Sequence, residues 1–490
     1  MRQGRRFPLL AYLVAVFAFA DTTGQGAESA WPANVRVNQD HIGNQQAETS
    51  LAVDPNDPLH LVTVFWEVVS VDPLDPSNRQ KRLNWAWTRD GGRTWQSRRY
   101  ENGAYSSDPA IKADRLGNFY IETILVPHFP DQTDASIGIL KSTDGGQTFV
   151  KTADIGLGHF LMDKPYMTID PVSGALYVVW TDFGTHPGPQ DVRIFFSASV
   201  DHGATFTAPR QISGGASFGS WATADVGPGG EIYATWSAEY YPALRIWFDR
   251  SLDGGRTWLS RDVRVADYPS GGVRKGGGFG WPTVAVDRSG GPHHGRVYVA
   301  WPNYTVGAIY VARSDDRGDH WSEPVRVDDI GNAGDFLNLA WVVVDGEGRV
   351  CVTYRLLRPD PAGRLRGQYL AVSTDGAVTF GPNVRVSDGI YPNLIFNGDY
   401  DEPVAVGNRL HAIWADARFG DNDIFTQSVD LDDFDEDGVL NDGDMDGQNA
   451  DHRCTAGATA HCDDNCPGTP NADQRDGDHD GIGDACDSTP

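Results

Sequence analysis

The chain has 490 residues, among them 56 Gly and 29 Pro, and only 22% of its residues are charged, a composition that argues against a helical bundle. Hydrophobic residues make up 40% and aromatic residues 11%, which suits many short, half-buried strands and excludes disorder for the bulk of the chain. The net charge is −27, but Asp430–Pro490 alone holds 18 Asp and Glu against 2 Lys and Arg, so −11 remains for the preceding 429 residues. This balance excludes a nucleic-acid partner, whose phosphates need a basic surface, and suits a bound cation.

The first 20 residues have the pattern of a signal peptide. Three arginines in Met1–Arg6 precede the apolar run Phe7–Ala20, which ends in the small-residue pattern Ala18-Phe19-Ala20. A membrane anchor is the alternative, but this run is interrupted by Pro8 and is shorter than the roughly 20 apolar residues that span a bilayer. We therefore expect export to an extracellular, cell-surface or periplasmic location, with no membrane span in the mature chain.

An octapeptide recurs six times along the chain. The first copy runs from Thr88 to Trp95, and the others begin at Ser142, Ser199, Ser251, Ser314 and Ser373. Each copy has an Asp at its third position: Asp90, Asp144, Asp201, Asp253, Asp316 and Asp375. These aspartates are 52 to 63 residues apart, which is enough for one four-stranded sheet per repeat and predicts a β-propeller. We expect each Asp to accept hydrogen bonds in a tight turn, and the last aromatic residue to fill the space between sheets.

The octapeptides resemble the Asp-box (BNR) repeats of sialidase-like propellers. The resemblance covers about Asn34–Leu431, and we predict that residues 34–431 form the propeller domain. A seventh strand pair occurs at Glu402–Val406 and Leu410–Trp414, and no octapeptide follows it. Its sheet therefore lacks a fourth strand, which Val35–Val37 can supply beside Asp423–Ser428, because Val-Arg-Val also occurs in fourth strands elsewhere. The sequence predicts an all-β, seven-bladed propeller closed by the N-terminal strand, with six blades as the alternative.

The resemblance also implies a possible activity. Family sialidases hold a substrate carboxylate with three arginines and use a tyrosine nucleophile with a glutamate and an aspartate. The first of those arginines belongs to a motif that is absent here, because Arg36 stands in the repeated Val-Arg-Val tripeptide. The sequence therefore leaves open whether the protein is an enzyme.

A ligand face is expected opposite the octapeptide turns, where loops connect successive blades and the second and third strands. These loops contain Asp163-Lys164-Pro165-Tyr166, Asp182, Glu239-Tyr240-Tyr241, Arg355, Asp399-Tyr400-Asp401-Glu402 and Asp416-Ala417-Arg418. Each of these residues can equally cap a strand or pair with a neighbour, so no catalytic residue is assigned.

The C-terminal segment, residues 432–490, has the pattern of a calcium-binding segment. Oxygen-bearing residues with a glycine at the sixth position recur twice, which is how a chain folds around Ca²⁺. The first loop has Asp433, Asp435, Asp437, Gly438, Asn441 and Asp444, and the second has Asp476, Asp478, Asp480, Gly481, Asp484 and Asp487. A partial copy that includes Asp446 overlaps the first loop. A solvated acidic tail is the alternative interpretation.

Four of the five cysteines lie in the same acidic segment, at Cys454, Cys462, Cys466 and Cys486. Four cysteines allow three pairings, and the sequence alone leaves all three open. The segment closely resembles thrombospondin type 3 repeats, and that resemblance implies Cys466–Cys486 and leaves Cys454 for Cys462. Because aliphatic residues are scarce here, we expect folding to depend on the metal and the disulfides. Cys351 lies in an apolar stretch and is expected to be a buried core thiol.

Two functions are consistent with these observations. The first is a secreted calcium-binding protein whose propeller presents a surface to an extracellular glycan or protein ligand, with an adhesion-type stalk. The second is a secreted glycoside hydrolase of the exo-α-sialidase type. Arginines clustered at the propeller centre would favour the hydrolase, and a tryptophan-lined face would favour the binding protein.

Overall fold

The computed structural model describes residues 33–39, 44–70, 79–129, 131, 134–156, 162–183, 192–214, 219–238, 245–267, 281–303, 306–330, 334–361, 363–392, 398–434, 437–441, 443, 452–455, 457–467 and 469–487. The predicted signal peptide at residues 1–20 lies outside these ranges. The described residues form 30 strands and no helix, so none of them builds a helix that could cross a membrane. The prediction of an all-β, seven-bladed propeller is confirmed.

The strands, numbered β1 to β30 in chain order, form seven sheets around a central axis. Blades 1 to 4 contain β2 (Gln45–Asp54), β3 (Asp57–Ser70), β4 (Arg79–Thr88) and β5 (Gln96–Arg99); β6 (Tyr105–Ala113), β7 (Phe119–Val126), β8 (Ser136–Ser142) and β9 (Val150–Ile155); β10 (Met162–Ile169), β11 (Leu176–Asp182), β12 (Arg193–Ser199) and β13 (Arg210–Gln211); and β14 (Gly219–Val226), β15 (Ile232–Ala238), β16 (Arg245–Ser251) and β17 (Val263–Asp267).

The remaining blades follow the same order from the axis outwards. Blades 5 to 7 contain β18 (Thr283–Val286), β19 (Val297–Asn303), β20 (Ala308–Ser314) and β21 (Val325–Arg326); β22 (Phe336–Val344), β23 (Val350–Asp360), β24 (Gly363–Ser373) and β25 (Val384–Arg385), with β26 (Tyr391–Pro392) paired to β24; and β28 (Val404–Val406), β29 (Arg409–Asp416), β30 (Asp423–Asp430) and β1 (Val35–Arg36). The short strand β27 (Asp401–Glu402) pairs with β2 of blade 1.

The N-terminal strand closes the ring, as predicted. Val35 pairs with Thr426 in an antiparallel ladder, and the amide of Val37 donates to the carbonyl of Ile424 at 2.8 Å. The Asn38 side chain bonds to the same strand, which extends the contact by one residue. Blade 7 therefore contains both ends of the propeller, and its outer edge strand is supplied by residues that precede blade 1 in sequence.

Each pair of neighbouring blades shares one buried apolar cluster, and together the seven clusters hold the blades side by side. Between blades 1 and 2, for example, Val62 and Trp85 pack against Ile121 and Phe149. Cys351 is fully buried in the cluster between blades 6 and 7, and burial raises the pKa of its thiol. Its surroundings match the expected core thiol.

The octapeptides form the turns between the third and fourth strands of blades 1 to 6. In the fourth copy, the Ser251 hydroxyl donates to Asp253 Oδ1 at 2.8 Å and the Thr257 amide donates to the same oxygen at 2.8 Å. Gly255 has a φ of +86°, and a Cβ there would lie 2.3 Å from the Phe196 ring of the preceding blade. The third-position aspartates Asp90, Asp144, Asp201, Asp253, Asp316 and Asp375 all accept the equivalent two hydrogen bonds.

These turns are expected to make the propeller sensitive to acid. Hydrogen bonds from the Thr257 hydroxyl and amide lower the pKa of Asp253 to about 2, below the roughly 3.9 of an unfolded aspartate. The stabilisation is therefore complete above about pH 4 and is lost as the pH falls towards 2. Asp253→Ala should lower the melting temperature at pH 7 and flatten its decline towards pH 3, measured against the exposed control Asp315→Ala. Parallel curves for the variant and wild type would contradict this role.

The inner strand of blade 7 differs from the predicted hairpin. The sequence predicts Glu402–Val406 as one strand against Leu410–Trp414, but only Val404–Val406 pairs with β29. Pro403 has no amide hydrogen for the ladder, and the residues before it turn towards blade 1, where Thr49 pairs with Asp401 in parallel. This departure carries Asp399 to Glu402 to the propeller centre.

The C-terminal segment packs on the propeller through its first residues. Phe434 is 5% exposed and belongs to the apolar cluster between blades 6 and 7. The Arg349 guanidinium donates to the Leu431 carbonyl at 3.1 Å and pairs with Asp432. Further along, disulfides join Cys454 to Cys462 and Cys466 to Cys486, the pairing that the resemblance implied.

Candidate functional site

Seven residues, one from each blade, occupy equivalent positions around the propeller axis. In blades 1, 2, 3, 5 and 6 the residue lies six positions before an aspartate at the end of the inner strand. In blades 4 and 7 it lies six positions before Gly227 and Val406, which stand in place of that aspartate. The central ring formed in this way consists of Glu48, Asp108, Lys164, Trp221, Trp281, Leu339 and Tyr400. In each blade the first and third strands run in the same direction. The octapeptide turns, which follow the third strands, therefore lie on the face where the inner strands end. The central ring lies towards the opposite face.

A β-bulge shapes this position in five of the seven blades. The register of the inner strand shifts between Ala47 and Ser50 and at the matching place in blades 2, 3, 4 and 6. The residues in these bulges have a positive φ although none is glycine: Glu48, Asp108, Lys164, Trp221 and Leu339. Bulges redirect side chains, and backbone strain of this kind concentrates at functional sites.

The Lys164 ammonium is the centre of a buried ionic group, which we call the Lys164 cluster: Lys164, Glu48, Asp108 and Asp399. Its Nζ lies 3.2 Å from Glu48 Oε1 and 2.9 Å from Asp399 Oδ2, and it also contacts Asp108. Trp66 Nε1 donates to the second oxygen of Glu48 at 2.6 Å. Beside Glu48, Gly398 leaves no room for a side chain, because a Cβ there would lie 2.7 Å from the Glu48 amide nitrogen.

The carboxyl groups in and beside the Lys164 cluster differ in pKa, because they lie close to one another and to ammonium groups. Burial and the Asp108 charge raise the pKa of Glu48. Burial also acts to raise the pKa of Asp108, but the ammonium groups of Lys164 and Lys81 outweigh it and the pKa is lowered. Burial and the Asp108 charge raise the pKa of Asp163, the residue before Lys164, to about 7. Paired carboxyl groups with diverging pKa values are the requirement for acid and base chemistry at neutral pH.

Aromatic side chains surround the Lys164 cluster. The Lys164 Nζ lies 5.0 Å from the Trp221 ring centre, 5.2 Å from that of Trp281 and 5.9 Å from that of Tyr400. Trp221 and Trp281 stack on each other with ring centres 3.6 Å apart. These side chains, with Tyr166 and Trp341, line a small pocket. An aromatic-lined pocket with a few converging polar groups has the character of a small-ligand site.

A second group of polar contacts surrounds Glu402. The Tyr166 hydroxyl donates to Glu402 Oε1 at 2.6 Å, and Ser50 Oγ donates to Glu402 Oε2 at 2.5 Å. Lys112 also pairs with Glu402. Burial and the Glu402 charge raise the pKa of Tyr166 well above its usual value, so the hydroxyl stays protonated. Glu122 is fully buried close to this group, and burial raises the pKa of its carboxyl well above the usual range.

The structure brings together only part of the predicted loop residues. Asp163, Lys164, Tyr166, Asp399, Tyr400 and Glu402 converge at the centre, whereas Asp182 is buried at the end of β11. Glu239, Tyr240 and Tyr241 lie outside the described residues.

The arginines of the candidate loops do not form a carboxylate clamp in the part of the chain that the structure describes. Arg355 Nη2 bonds to Asp401 at 2.6 Å, and Arg366 faces the same carboxylate from a fully buried position. Arg418 is tied to Asp416 and Asp388. Arg36 pairs with Asp423 at the outer edge of blade 7, far from the axis.

Sequence reasoning missed Glu48, Asp108, Trp221 and Trp281, because the first three stand in inner strands and Trp281 lies two residues before one. The signal that could have found them is the constant spacing of six residues before the strand-ending aspartates, for example from Glu48 to Asp54. That spacing marks the axial position in blades 1, 2, 3, 5 and 6. The octapeptide, which is the most visible repeat, marks the opposite face.

The two acidic loops of the C-terminal segment have the same local geometry. The amide of the sixth-position glycine donates to the first aspartate at 3.0 Å in both loops, from Gly438 to Asp433 and from Gly481 to Asp476. In the second loop, carboxylate oxygens of Asp476, Asp478 and Asp480 lie within 4.8 Å of one another.

The other predicted metal ligands have varied surroundings. Asp484 accepts from the Gly477 amide within the second loop, Asn441 is buried beside Leu431, and the Asp487 amide bonds to the Gly483 carbonyl. Asp437 accepts the amides of Val439 and Asn471. The predicted ligands Asp435, Asp444 and Asp446 lie outside the described residues.

Asp464 is a further acidic residue at the first loop, which the loop spacing did not identify. Burial, with the charges of Asp437 and Asp433 nearby, raises the pKa of Asp464 to about 6. Gln474 Nε2 donates to its Oδ1 at 2.9 Å, and its other oxygen is buried without a hydrogen-bond partner among the residues that the structure describes. The disulfide-linked part of the segment thus adds a carboxylate to the first loop.

No protein-family model matches the chain. Similar solved structures include the α-L-arabinofuranosidase Arb93A from Fusarium graminearum in complex with an iminosugar inhibitor (TM-score 0.50, 11% identity, covering 81% of this chain and 98% of that one). Others are the Hadza microbial sialidase Hz136 (TM-score 0.46, 15% identity, 83% and 99%) and a protein of unknown function from Dyadobacter fermentans (0.46, 17%, 69% and 97%). The likeness to Arb93A supports the propeller fold, and at this identity it concerns the fold alone.

Proposed function

We propose that this protein is a secreted glycan-binding propeller that holds its ligand in the pocket above the Lys164 cluster, with a calcium-binding C-terminal segment as a stalk. The aromatic pocket carries the proposal. Trp221 and Trp281 offer flat apolar surfaces for the faces of a sugar ring, and the partly exposed Asp399 carboxylate beside Lys164 offers an acceptor for its hydroxyl groups. The two disulfides support an extracellular location.

Calcium is the cation that the C-terminal residues fit best. Asp476, Asp478 and Asp480 supply hard oxygen ligands from alternate positions, and their oxygens are close enough to share one ion. Bound Ca²⁺ would neutralise the negative charge of these carboxylates. The assignments of this segment to thrombospondin type 3 repeats and of the octapeptides to Asp-box repeats remain predictions, which rest on the sequence resemblance.

Titration with a panel of oligosaccharides tests the proposed glycan site. Trp281→Ala and Trp221→Ala should each weaken the best ligand at least about tenfold, because a central aromatic contact typically contributes about 1.4 kcal/mol or more. Phe419→Ala, which removes an aromatic side chain that is 61% exposed, serves as the control. Thermal melting verifies that each variant is folded. Wild-type protein that binds no oligosaccharide, or pocket variants that bind like wild type, would refute the proposal.

Glycoside hydrolysis is a second candidate, favoured by the pKa values within the Lys164 cluster. A hydrolase needs one carboxyl group that retains its proton and one that is ionised. Glu48 has the raised pKa and Asp108 the lowered one, and both contact the same ammonium.

The sialidase form of this activity is not expected. The purified protein should release no sialic acid from an aryl sialoside, because Arg355 and Arg366 are buried against Asp401 and are not available to hold a substrate carboxylate. Fluorescent release assays over pH 4 to 8 would measure this. Turnover that disappears in Tyr166→Phe or Tyr400→Phe would overturn the expectation and move the protein to the sialidases.

A further inference from the structure

Five aromatic side chains form a connected series of rings along the wall of the pocket. The Trp221 and Trp281 rings stack with their centres 3.6 Å apart, and the Tyr400 ring centre lies 6.3 Å from that of Trp281. The Trp341 ring centre lies 6.4 Å from that of Tyr400 and 5.6 Å from that of Tyr166. Trp341 and Tyr400 are buried, whereas the other three side chains are half-buried. The buried rings therefore form the inner part of the wall, and the half-buried rings lie where the pocket opens.

The hydroxyl and ammonium groups among the lining side chains are already engaged within the protein. Each hydroxyl donates a hydrogen bond to another group: Tyr400 to the Pro109 carbonyl at 2.8 Å, Tyr166 to Glu402 at 2.6 Å, and Thr223 to the Pro282 carbonyl at 3.1 Å. The Lys164 ammonium contacts three carboxylates, as many as it has N–H donors. The side chains of the wall therefore offer a ligand mainly their apolar surfaces.

The rest of the lining has the same character. Ala110, Ala222 and Pro165 add small apolar groups, and the indole N–H groups of the tryptophans can donate a hydrogen bond but cannot accept one. A ligand hydroxyl in this pocket would lose its water without gaining a side-chain oxygen that is not already engaged, which is unfavourable. A methyl group in the same place loses no hydrogen bond and buries apolar surface. The lining thus favours the apolar end of a sugar over a hydroxylated end.

We propose that the glycan ends in a 6-deoxyhexose and that the C5 methyl group of this sugar occupies the pocket. Its ring lies against the half-buried Trp221 and Trp281, and its hydroxyl groups point away from the inner wall. This inference rests on the proposed glycan-binding function and adds the kind of sugar that is recognised. A hexose that carries a hydroxyl at C6 would place that hydroxyl between the rings of Trp341 and Tyr400.

Calorimetric titration of the full chain with two matched pairs of methyl glycosides tests the inference. Methyl α-L-fucoside is compared with methyl α-L-galactoside, and methyl α-L-rhamnoside with methyl α-L-mannoside, so that only the C6 hydroxyl differs within a pair. In at least one pair the deoxy sugar should bind at least about tenfold more tightly, which is the size of effect that one group has in an apolar pocket. The preference should be equal at about 0.1 M and 1 M salt, because no charge distinguishes the two sugars. The pair that shows it identifies the ring configuration.

Two variants connect this preference to the pocket. Ala110→Ser adds a hydroxyl to the lining and so gives the C6 hydroxyl of the hexose a partner, and Trp341→Ala removes part of the inner wall. Both should lower the preference for the deoxy sugar, whereas the control Phe419→Ala, which changes an exposed ring outside the lining, should leave it unchanged. Thermal melting verifies that each variant is folded, and Ala110→Ser, which adds a single oxygen atom, provides the test if Trp341→Ala does not fold.

The outcomes separate this inference from the function on which it rests. Equal or tighter binding of the hydroxylated sugar in both pairs, or a preference that Ala110→Ser and folded Trp341→Ala both retain in full, would overturn the deoxy-sugar assignment. Binding of none of the four glycosides, while another oligosaccharide of the panel binds, would overturn it as well and leave the glycan site in place. Binding of no oligosaccharide at all would overturn the glycan site itself.

Discussion

A protein that lacks residues 1–38 is expected to lose its closed ring and to associate through exposed strand edges. The deletion removes β1 and Val37, which is fully buried between blades 7 and 1. Burial of a valine side chain contributes about 1.5 to 3 kcal/mol, and the lost ladder exposes the backbone of β30. An unpaired edge strand is a template for pairing with another molecule.

Light scattering after size-exclusion chromatography, together with thermal melting, measures this effect. Deletion of residues 1–32 is the matched control, because it leaves the strand and Asn34 in place. We expect the control to match the full chain, and the longer deletion to form oligomers and melt at a lower temperature. A monomeric deletion protein with an unchanged melting temperature would show that β1 does not close the ring.

Removal of calcium is expected to unfold most of the C-terminal segment while the propeller remains folded. Eighteen carboxylates within 61 residues repel one another at neutral pH, and few aliphatic side chains offset the roughly 1 to 2 kcal/mol of backbone entropy per ordered residue. The first loop is anchored to the propeller by Phe434 and Asp432, whereas the second has no such anchor among the described contacts. The second loop should therefore open first.

Limited proteolysis with and without EGTA, followed by mass spectrometry, identifies the cleaved positions. Asp480→Ala and Asp437→Ala should each lower the number of bound calcium ions, and Asp473→Ala is the control, since its side chain is 59% exposed and pairs with Arg475. Equal protection in both conditions, or an unchanged calcium count in the two loop variants, would contradict a calcium-dependent fold.

The propeller fold was predictable because its signals are local and repeated. The octapeptide turn is defined by contacts within eight residues, such as Ser251 and Thr257 with Asp253, so each copy is visible in the sequence. The Val-Arg-Val tripeptide at Val35–Val37 likewise revealed the closing strand. Blade 7 was less predictable, because Pro403 diverts its inner strand to pair with blade 1.

The candidate site was predictable only in part, since it depends on contacts between distant blades. Lys164 and Asp399 were among the predicted loop residues, but their partners Glu48 and Asp108 come from strands in blades 1 and 2. Their side chains reach the axis because β-bulges redirect them, and a bulge has no fixed sequence signature. Whether arginines cluster at the centre could be tested only in the structure. There, Arg355 and Arg366 are both buried against the Asp401 carboxylate.

A crystal structure of the full chain with the oligosaccharide that binds most tightly is the most direct measurement of the central claim. We predict a sugar ring against Trp221 and Trp281, in the pocket above the Lys164 cluster. A sugar bound on the octapeptide face, between outer strands or on the C-terminal segment, with the pocket above the Lys164 cluster unchanged, would contradict it.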